Sequence, residues 1–355
     1  MKLESIKRAE NVNAATRRIP SGLVTRDMPL NLAIIGGGEG ANKALESLRN
    51  NSLVTLKGVL CEAGELQGII PHSCCRLSLD RILANPQIEA VYIATPNYTH
   101  VPLAQRCIRG GKHVLVEKPL AVSIPEARLL LEEKQFIVGV AFKKRFGDWV
   151  PHFQRLFLTK PADLRICAVW RIPPPRTLWR YSHRQSGGGA LMDLGSHMLD
   201  LVEFLCGPIL SISGMAVFDR EFERIDRRST IQLTLRSGAI ANIILDWCGE
   251  TASYRLEAKA GNHRFEHIRQ FGEKDIIKIS TNTETTTYHS DPSEEYHGLF
   301  RAFMQAIRGC PHALPQMSDG LHNLEMINVA YNSIQSDFLR TIRSDKNANV
   351  CPNLV

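Results

Sequence analysis

Residues 30–41 read LNLAIIGGGEGA. An apolar run of strand type, Leu32 to Ile35, meets Gly36, Gly38 and Ala41 in the pattern GxGxx(G/A), and a helical pattern follows from Ala41 to Leu48. Strand, glycine turn and helix in that order are the context a dinucleotide fingerprint requires. Gly36 permits the tight turn, Gly38 lets the backbone approach a pyrophosphate, and the small Ala41 lets helix and strand pack closely. The pyrophosphate then rests on N–H groups at the helix N-terminus. Gly36, Gly38, Glu39, Gly40 and Ala41 are therefore candidate cofactor residues, with the Glu39 carboxylate pointing away from the phosphates. A glycine turn without a ligand is the plainer alternative.

The fingerprint also expects an acid about 20 residues on, at the end of the second strand, to hold the ribose hydroxyls. The second strand is expected over Thr55 to Leu60 and ends in Cys61-Glu62. Glu62 in the ribose role favours NAD. Cys61 in that position leaves it without a carboxylate and admits the 2′-phosphate of NADP, with Arg76 the nearest arginine. NAD is the preferred reading.

Further along, residues 91–134 read VYIATPNYTHVPLAQRCIRGGKHVLVEKPLAVSIPEARLLLEEK. Strands are expected at Val91–Ala94, His113–Val116 and Phe136–Ala141, with helices at His100–Arg109, capped by Thr99, and Pro125–Lys134. Strands alternating with helices at this spacing imply a parallel sheet. Its ligands belong beyond the carboxyl ends of the strands, where Thr95-Pro96-Asn97 and Glu117-Lys118-Pro119 fall. A lysine there binds a substrate hydroxyl and lowers its pKa; an ordinary surface lysine is the competing reading.

The run GGGALMDLGSHMLDLVEFLCG begins at Gly187. Side chains three and four apart share a helix face, so Asp193, His197 and Asp200 are expected to form one polar stripe. Leu191, Leu194, Met198, Leu201 and Leu205 form a separate apolar stripe. Such a helix suits the wall of a proton-transfer cleft, and Gly187, Gly188 and Gly189 before it allow close approach of backbone to a ligand. A glycine-rich loop leading into an ordinary amphipathic helix is the alternative.

The stretches AIIGGGEGA, AVYIATPNYTH, GGKHVLVEKPLA and GGGALMDLGSHMLDL together resemble the Gfo/Idh/MocA oxidoreductases, the family of glucose–fructose oxidoreductase and the inositol dehydrogenases. The resemblance spans residues ~30 to ~340 in element order. It implies a catalytic set of Lys118, Asp193 and His197. It implies a dinucleotide site, NAD or NADP, that includes Gly36, Gly38, Thr95, Pro96, Asn97, His100, Glu117 and Lys118. It also implies a secondary alcohol or ketone on a sugar, cyclitol or sugar derivative as the substrate. His197 or Lys118 takes the proton, and Asp193 orients the alcohol or the imidazole; Asp200 braces the helix. Two alternatives from the same fold are a regulatory protein that binds dinucleotide without chemistry and a glycosidase that uses NAD transiently.

Composition fits this class. The chain has 355 residues, 44% hydrophobic and 22% charged, with formal net charge +7. No apolar run approaches the ~20 residues of a membrane span. Nine cysteines, an odd count, with no secretory leader pattern point to reduced thiols and a cytoplasmic location. Cys107 and Cys206 are expected in the core. His72, Cys74 and Cys75 lack the paired spacing of a zinc site, so no metal is expected. The positive charge is dispersed and no nucleic-acid motif is present. Arg171, Arg176, Arg180, His183 and Arg184 cluster with Trp170, Trp179 and Tyr181. Folded over the cleft, Arg176, Trp179 and Arg180, with Arg145, are candidate substrate contacts that suit a phosphate or carboxylate.

Four segments are expected. Residues 1–29 are a basic extension and 30–145 a Rossmann domain. Residues 146–340 are a substrate and oligomerisation domain whose last helix packs back on the first, and 341–355 are a tail. The fold class is α/β: a Rossmann dinucleotide-binding domain plus an α+β domain with a large, mainly antiparallel open sheet. Its strands are expected at Asp163–Arg171, Leu210–Phe218, Thr230–Leu235, Ala239–Asp246, Tyr254–Ala258 and His263–Ile268. Helices return at Tyr296–Arg308 and Gly320–Phe338. The open sheet needs covering, which suggests a homodimer or homotetramer through it.

Overall fold

The computed structural model describes residues 28–49, 52–61, 74–132, 135–269 and 271–345, with side chains as far as residue 335. Six strands form one parallel sheet: β1 (Leu30–Ile35), β2 (Val54–Leu60), β3 (Cys75–Arg76), β4 (Ala90–Ile93), β5 (His113–Val116) and β6 (Val138–Val140). Their order is β3-β2-β1-β4-β5-β6. This is the doubly wound order, and its switch point lies between β1 and β4. The residues of β4 and β6 are all buried, as strands covered by helices on both faces require.

Four helices accompany the sheet: α1 (Glu39–Leu48), α2 (Leu79–Ala84), α3 (His100–Arg109) and α4 (Ile124–Leu131). Ser78 and Ser123 cap α2 and α4 by accepting the N–H groups of Arg81 and Glu126. Thr99 does not cap α3. It lies in a 3-10 turn, where its hydroxyl donates to the Pro96 carbonyl at 2.7 Å. A local side-chain bond has replaced the expected cap.

The chain then makes a 3-10 turn (Lys143–Phe146) and α5 (Val150–Leu156), which periodicity did not reveal. An eight-stranded sheet follows: β7 (Arg165–Arg171), β8 (Ile209–Phe218), β9 (Asp226–Leu235), β10 (Ile240–Asp246), β11 (Ser253–Ala260), β12 (His263–Arg269), β13 (Asp275–Ser280) and β14 (Thr285–Ser290). The order is β14-β13-β12-β11-β7-β10-β9-β8. Every pairing is antiparallel except β7 with β10. The parallel pair arises because the chain leaves the sheet after β7 and returns to it only at β8. Strands β13 and β14 were not expected. Their sequences, DIIKIS and TTTYHS, lie at the sheet edge, and β14 buries only Ser290.

Between β7 and β8 run α6 (His183–Ser186), a π-helical turn (Leu191–Gly195) and α7 (Ser196–Cys206). The chain ends in α8 (Glu294–Ile307) and α9 (Met317–Asp345). Helix α9 packs on α4, β6 and α7 as well as on β8. Gly320 sits against Leu120 and Val140, where a Cβ would meet their side chains at 2.9 Å. Cys107 and Cys206 lie in the core, 0% and 3% exposed.

Candidate active site

The carboxyl ends of β1, β4 and β5 converge on the glycine turn. Gly36 has φ +123°, and a Cβ there would lie 2.2 Å from the Ala94 carbonyl oxygen at the end of β4. The turn is therefore closed to any side chain. Over Gly38 the opposite holds: a Cβ would meet nothing within 4 Å. No side chain caps α1 at Gly38, so the first N–H groups of the helix face open space. That open, uncapped helix start suits the pyrophosphate of a dinucleotide. Glu39 pairs with Lys43 at 2.5 Å along the helix, so its charge is answered within α1. Burial pushes the Glu39 carboxyl up, but Lys43 outweighs it and the net direction is down.

Glu117 closes the other side. Its Oε1 accepts from the Tyr92 hydroxyl at 2.5 Å and its Oε2 from the Lys118 N–H at 3.1 Å. A Cβ on Gly40 would lie 3.4 Å from Oε1, so the β5 end and the glycine turn are neighbours. Tyr296 of α8 donates to the Gly40 carbonyl at 3.4 Å and accepts from Lys143 Nζ at 2.6 Å. Sequence reasoning missed Tyr92, Tyr296 and Lys143. They come from separate elements, and no spacing links them.

Lys118 Nζ donates to both the carbonyl and the carboxylate Oδ1 of Asp193, each at 2.9 Å. Asp193 Oδ2 takes Arg180 Nη1 at 2.7 Å. Burial pushes the Asp193 carboxyl up, but the Arg180 and Lys118 cations outweigh it and hold it well below the usual carboxylate range. His197 is 7% exposed, and its ring stacks on Trp170 at 5.4 Å with an interplanar angle of 29°. Its Nδ1 is buried without a hydrogen-bond partner. Burial, with the Lys118, Lys143 and Lys144 cations, pushes the imidazole well below its ordinary value. Burial and those cations favour the neutral ring over the imidazolium.

The stripe expected of Asp193, His197 and Asp200 does not form. The π-helical turn over Leu191–Gly195 breaks the regular period between Asp193 and His197. Ser196 to Val202 are buried on all sides, so no single polar face exists. Asp200 instead receives Arg145 at 2.5 Å, and Arg145 also reaches Asp319 at 3.0 Å. Burial pushes the Asp200 carboxyl up to about 6. Arg145 thereby ties α7 to α9, and its charge is spent on that tie rather than offered to a substrate.

Two further expectations are corrected. Arg180 meets Asp193, not an open cleft, and its guanidinium lies 4.9 Å from the centre of the half-buried Trp179 ring. Arg176 is exposed, in the loop before the 3-10 turn Leu178–Tyr181. His100 is fully buried, with Nδ1 at 2.8 Å from the Pro119 carbonyl and Nε2 at 2.9 Å from the Thr95 carbonyl. It locks the β4 and β5 loops together. Asn97 does similar work: its side-chain amide donates to the Ser186 carbonyl at 2.8 Å. Thr95 and Pro96 stand at the β4 end, where Thr99 bonds to both. Glu62 and His72 lie outside the described residues.

The three glycines approach protein, not ligand. A Cβ on Gly189 would lie 2.0 Å from the Asp226 carbonyl oxygen, on Gly188 2.2 Å from the Tyr331 hydroxyl, and on Gly187 2.8 Å from the Val122 carbonyl oxygen. Asp226, 0% exposed at the start of β9, accepts the N–H groups of Gly189 at 2.9 Å and Leu191 at 2.7 Å. It caps the turn that leads into α7 from another strand. Its sequence surroundings, EFERIDRRS, read as a solvated charged loop, so no local signal exposed it.

A glycine turn at the switch point of a parallel sheet, facing a lysine, an aspartate and a histidine across the start of a second domain, defines a two-domain dinucleotide-dependent oxidoreductase. Comparison with known proteins agrees. Residues 30–142 match the oxidoreductase family with NAD-binding Rossmann fold, and residues 158–275 match the Gfo/Idh/MocA C-terminal domain. The chain belongs to the Gfo/Idh/MocA oxidoreductase family. It is 28% identical to an uncharacterized oxidoreductase of Synechocystis over 80% of this chain and 78% of that one. It is also 28% identical to a dTDP-3,4-didehydro-2,6-dideoxy-alpha-D-glucose 3-reductase of Streptomyces antibioticus, over 66% of this chain and 74% of that one. In fold it is similar to the aldose-aldose oxidoreductase of Caulobacter crescentus, with TM-score 0.76, 20% identity, and coverage of 87% of this chain and 98% of that one. Other solved chains of this fold have been captured with NAD, NADP and NADH. Among the described residues no helix is long and apolar enough to cross a membrane.

Proposed function

We propose that this protein transfers hydride between a nicotinamide dinucleotide and a secondary alcohol or ketone on a sugar or cyclitol ring. The observation that carries the reading is Lys118 held on Asp193 by two 2.9 Å bonds, with its charge among those that push the His197 imidazole down. When bound, the cofactor supplies the hydride acceptor or donor. Every other part falls to side chains of the chain itself. His197 accepts the hydroxyl proton, because burial and the neighbouring cations favour its neutral form. Lys118 stabilises the developing alkoxide charge. Asp193 stays ionised, orients Lys118 and takes no proton. Arg180 completes the charge balance on Asp193.

With Arg180 and Arg145 both committed to carboxylates, the reading favours a polyhydroxylated ring over an anionic group held by those arginines. Self-association through the open sheet belongs to the same reading. Leu210, Met215 and Val217 are exposed on edge strand β8 at 68%, 70% and 60%, and sedimentation equilibrium showing a monomer at micromolar concentration removes that part.

The test is absorbance at the reduced-nicotinamide band with sugars, cyclitols and nucleotide sugars, NAD and NADP in parallel. A signal with one substrate that His197→Ala abolishes supports the proposal. Silence across the panel despite tight dinucleotide binding overturns it in favour of a sensor.

A further inference from the structure

One buried lysine has no part in the reaction described. Lys144 lies on the 3-10 turn Lys143–Phe146 and is 1% exposed. Its ammonium has no hydrogen-bond partner. It sits 4.7 Å from the centre of the Trp170 ring and 4.4 Å from that of Tyr254. Glu295 Oε1 is 3.7 Å away, and that oxygen is already held by Arg269 at 2.7 Å. Burying an ammonium without a hydrogen bond is costly, and two aromatic faces in a dry pocket offset part of the cost. The indole that contacts this ammonium is the one on which His197 stacks.

We propose that Lys144 is a positioning residue of the active site, acting on His197 through Trp170: it fixes the indole under the imidazole, and its charge keeps that imidazole a proton acceptor on the acid side of neutrality. The inference rests on His197 as the base. The two centroid distances, 5.4 and 4.7 Å, put the ammonium no more than about 10 Å from the imidazole. At an effective dielectric of about 20, like-charge repulsion over that distance is worth about one pH unit.

Burial pushes the Lys144 ammonium down to about 7. Its charge is therefore present below neutrality, where His197 would otherwise take up a proton. The charged groups around His197 are Lys118 at the β5 end, Lys143 and Lys144 on the 3-10 turn, Lys43 on α1, and Asp193 one turn back on its own helix. Around Lys144 they are Glu295 on α8, Arg269 on β12, Asp275 on β13 and the adjacent Lys143, with His267 of β12 bonded to Asp275 at 2.6 Å. Among the described residues, Lys144 is the cation that lies over Trp170.

Lys144→Met removes the charge at similar length, Lys144→Gln does so with a polar end, and Lys144→Arg retains it. The His197 ring signals are titrated by NMR in each protein, assigned by their loss in His197→Ala, beside the pH profile of kcat/KM. In the Met or Gln variant the His197 midpoint is expected to rise by about one pH unit, carrying the acid limb with it. The Arg variant is expected to keep the wild-type midpoint. A merely structural lysine would lower activity or stability without moving the midpoint. Equal His197 midpoints in wild type and either neutral variant overturn the inference, whatever happens to kcat. A protein silent with every alcohol, yet showing the midpoint shift, supports the action of Lys144 and overturns only the dehydrogenase reading.

Discussion

Asp226→Asn isolates the force that anchors the start of the Asp193–His197 segment. Asp226 Oδ1 accepts the Gly189 N–H at 2.9 Å and the Tyr331 hydroxyl at 2.6 Å; Oδ2 accepts the Leu191 N–H and the Ser229 hydroxyl, each at 2.7 Å. Each oxygen thus holds one backbone N–H and one hydroxyl. An asparagine amide turns one of those oxygens into a donor. The hydroxyl facing it can rotate and accept, but the backbone N–H cannot. The amide orientation that faces Leu191 orphans its N–H, whereas the one that faces Gly189 leaves that N–H its longer bond to the Tyr331 hydroxyl at 3.3 Å, so the cost sits at the low end, about 1 kcal/mol. The charge adds no compensating stability, because burial outweighs the four donors and pushes the Asp226 carboxyl up. Asp226→Ala orphans the Leu191 N–H outright, at about 1–3 kcal/mol, and leaves the Gly189 N–H only its 3.3 Å bond to the Tyr331 hydroxyl. Urea unfolding gives the free energies. Hydrogen exchange at the Gly189 and Leu191 amides localises them, with about tenfold less protection per 1.4 kcal/mol. If Asp226→Asn unfolds within about 0.5 kcal/mol of the wild type, or matches Asp226→Ala, Asp226 does not anchor this segment.

Two arginines that sequence grouped together separate in the fold. Arg176→Ala is expected to leave kcat/KM within about twofold, as for an exposed site away from special contacts, whereas Arg180→Ala is expected to lower it about tenfold or more by uncovering Asp193 Oδ2; equal effects in steady-state assays would reject the Arg180–Asp193 pairing. His113 makes the fold acid-sensitive. Its Nδ1 accepts the Ile137 N–H at 3.0 Å, and burial pushes the imidazole down to about 4. The unfolded chain binds that proton more readily, near pH ~6.5. Stability is therefore full above ~6.5 and falls as pH drops towards 4, by about 3 kcal/mol at most. His113→Gln flattens that slope in denaturation curves collected across the window; an unchanged slope would show that His113 does not titrate as described.

The sheet of the first domain was legible because its signals are local. LNLAIIGGGEGA carries its own strand, turn and helix start, and Gly36 meets the Ala94 carbonyl as a close-approach glycine must. The seats of Lys118, Asp193 and His197 were legible too, since strand ends and a glycine-led helix are written in consecutive residues. Strand β14 was not, because a polar edge strand lacks the alternation that betrays a buried face, and β13, paired between β12 and β14, is too short a run for its burial to show in sequence. Residues 187–189 misled for a physical reason. Glycine declares only that something comes close, and here the close neighbours are Asp226, Tyr331 and Val122 from distant parts of the chain.

Sequence by itself determined most strands and helices and the residue types able to move a proton. Tertiary structure alone decided their partners and hence their charge states. Arg180 went to Asp193, Arg145 to Asp200, and His197 to the face of Trp170. Periodicity fixes which way a side chain leaves its own element, whereas ionisation depends on burial and on charges brought within a few ångströms from other elements. Those distances exist only once the chain has closed on itself.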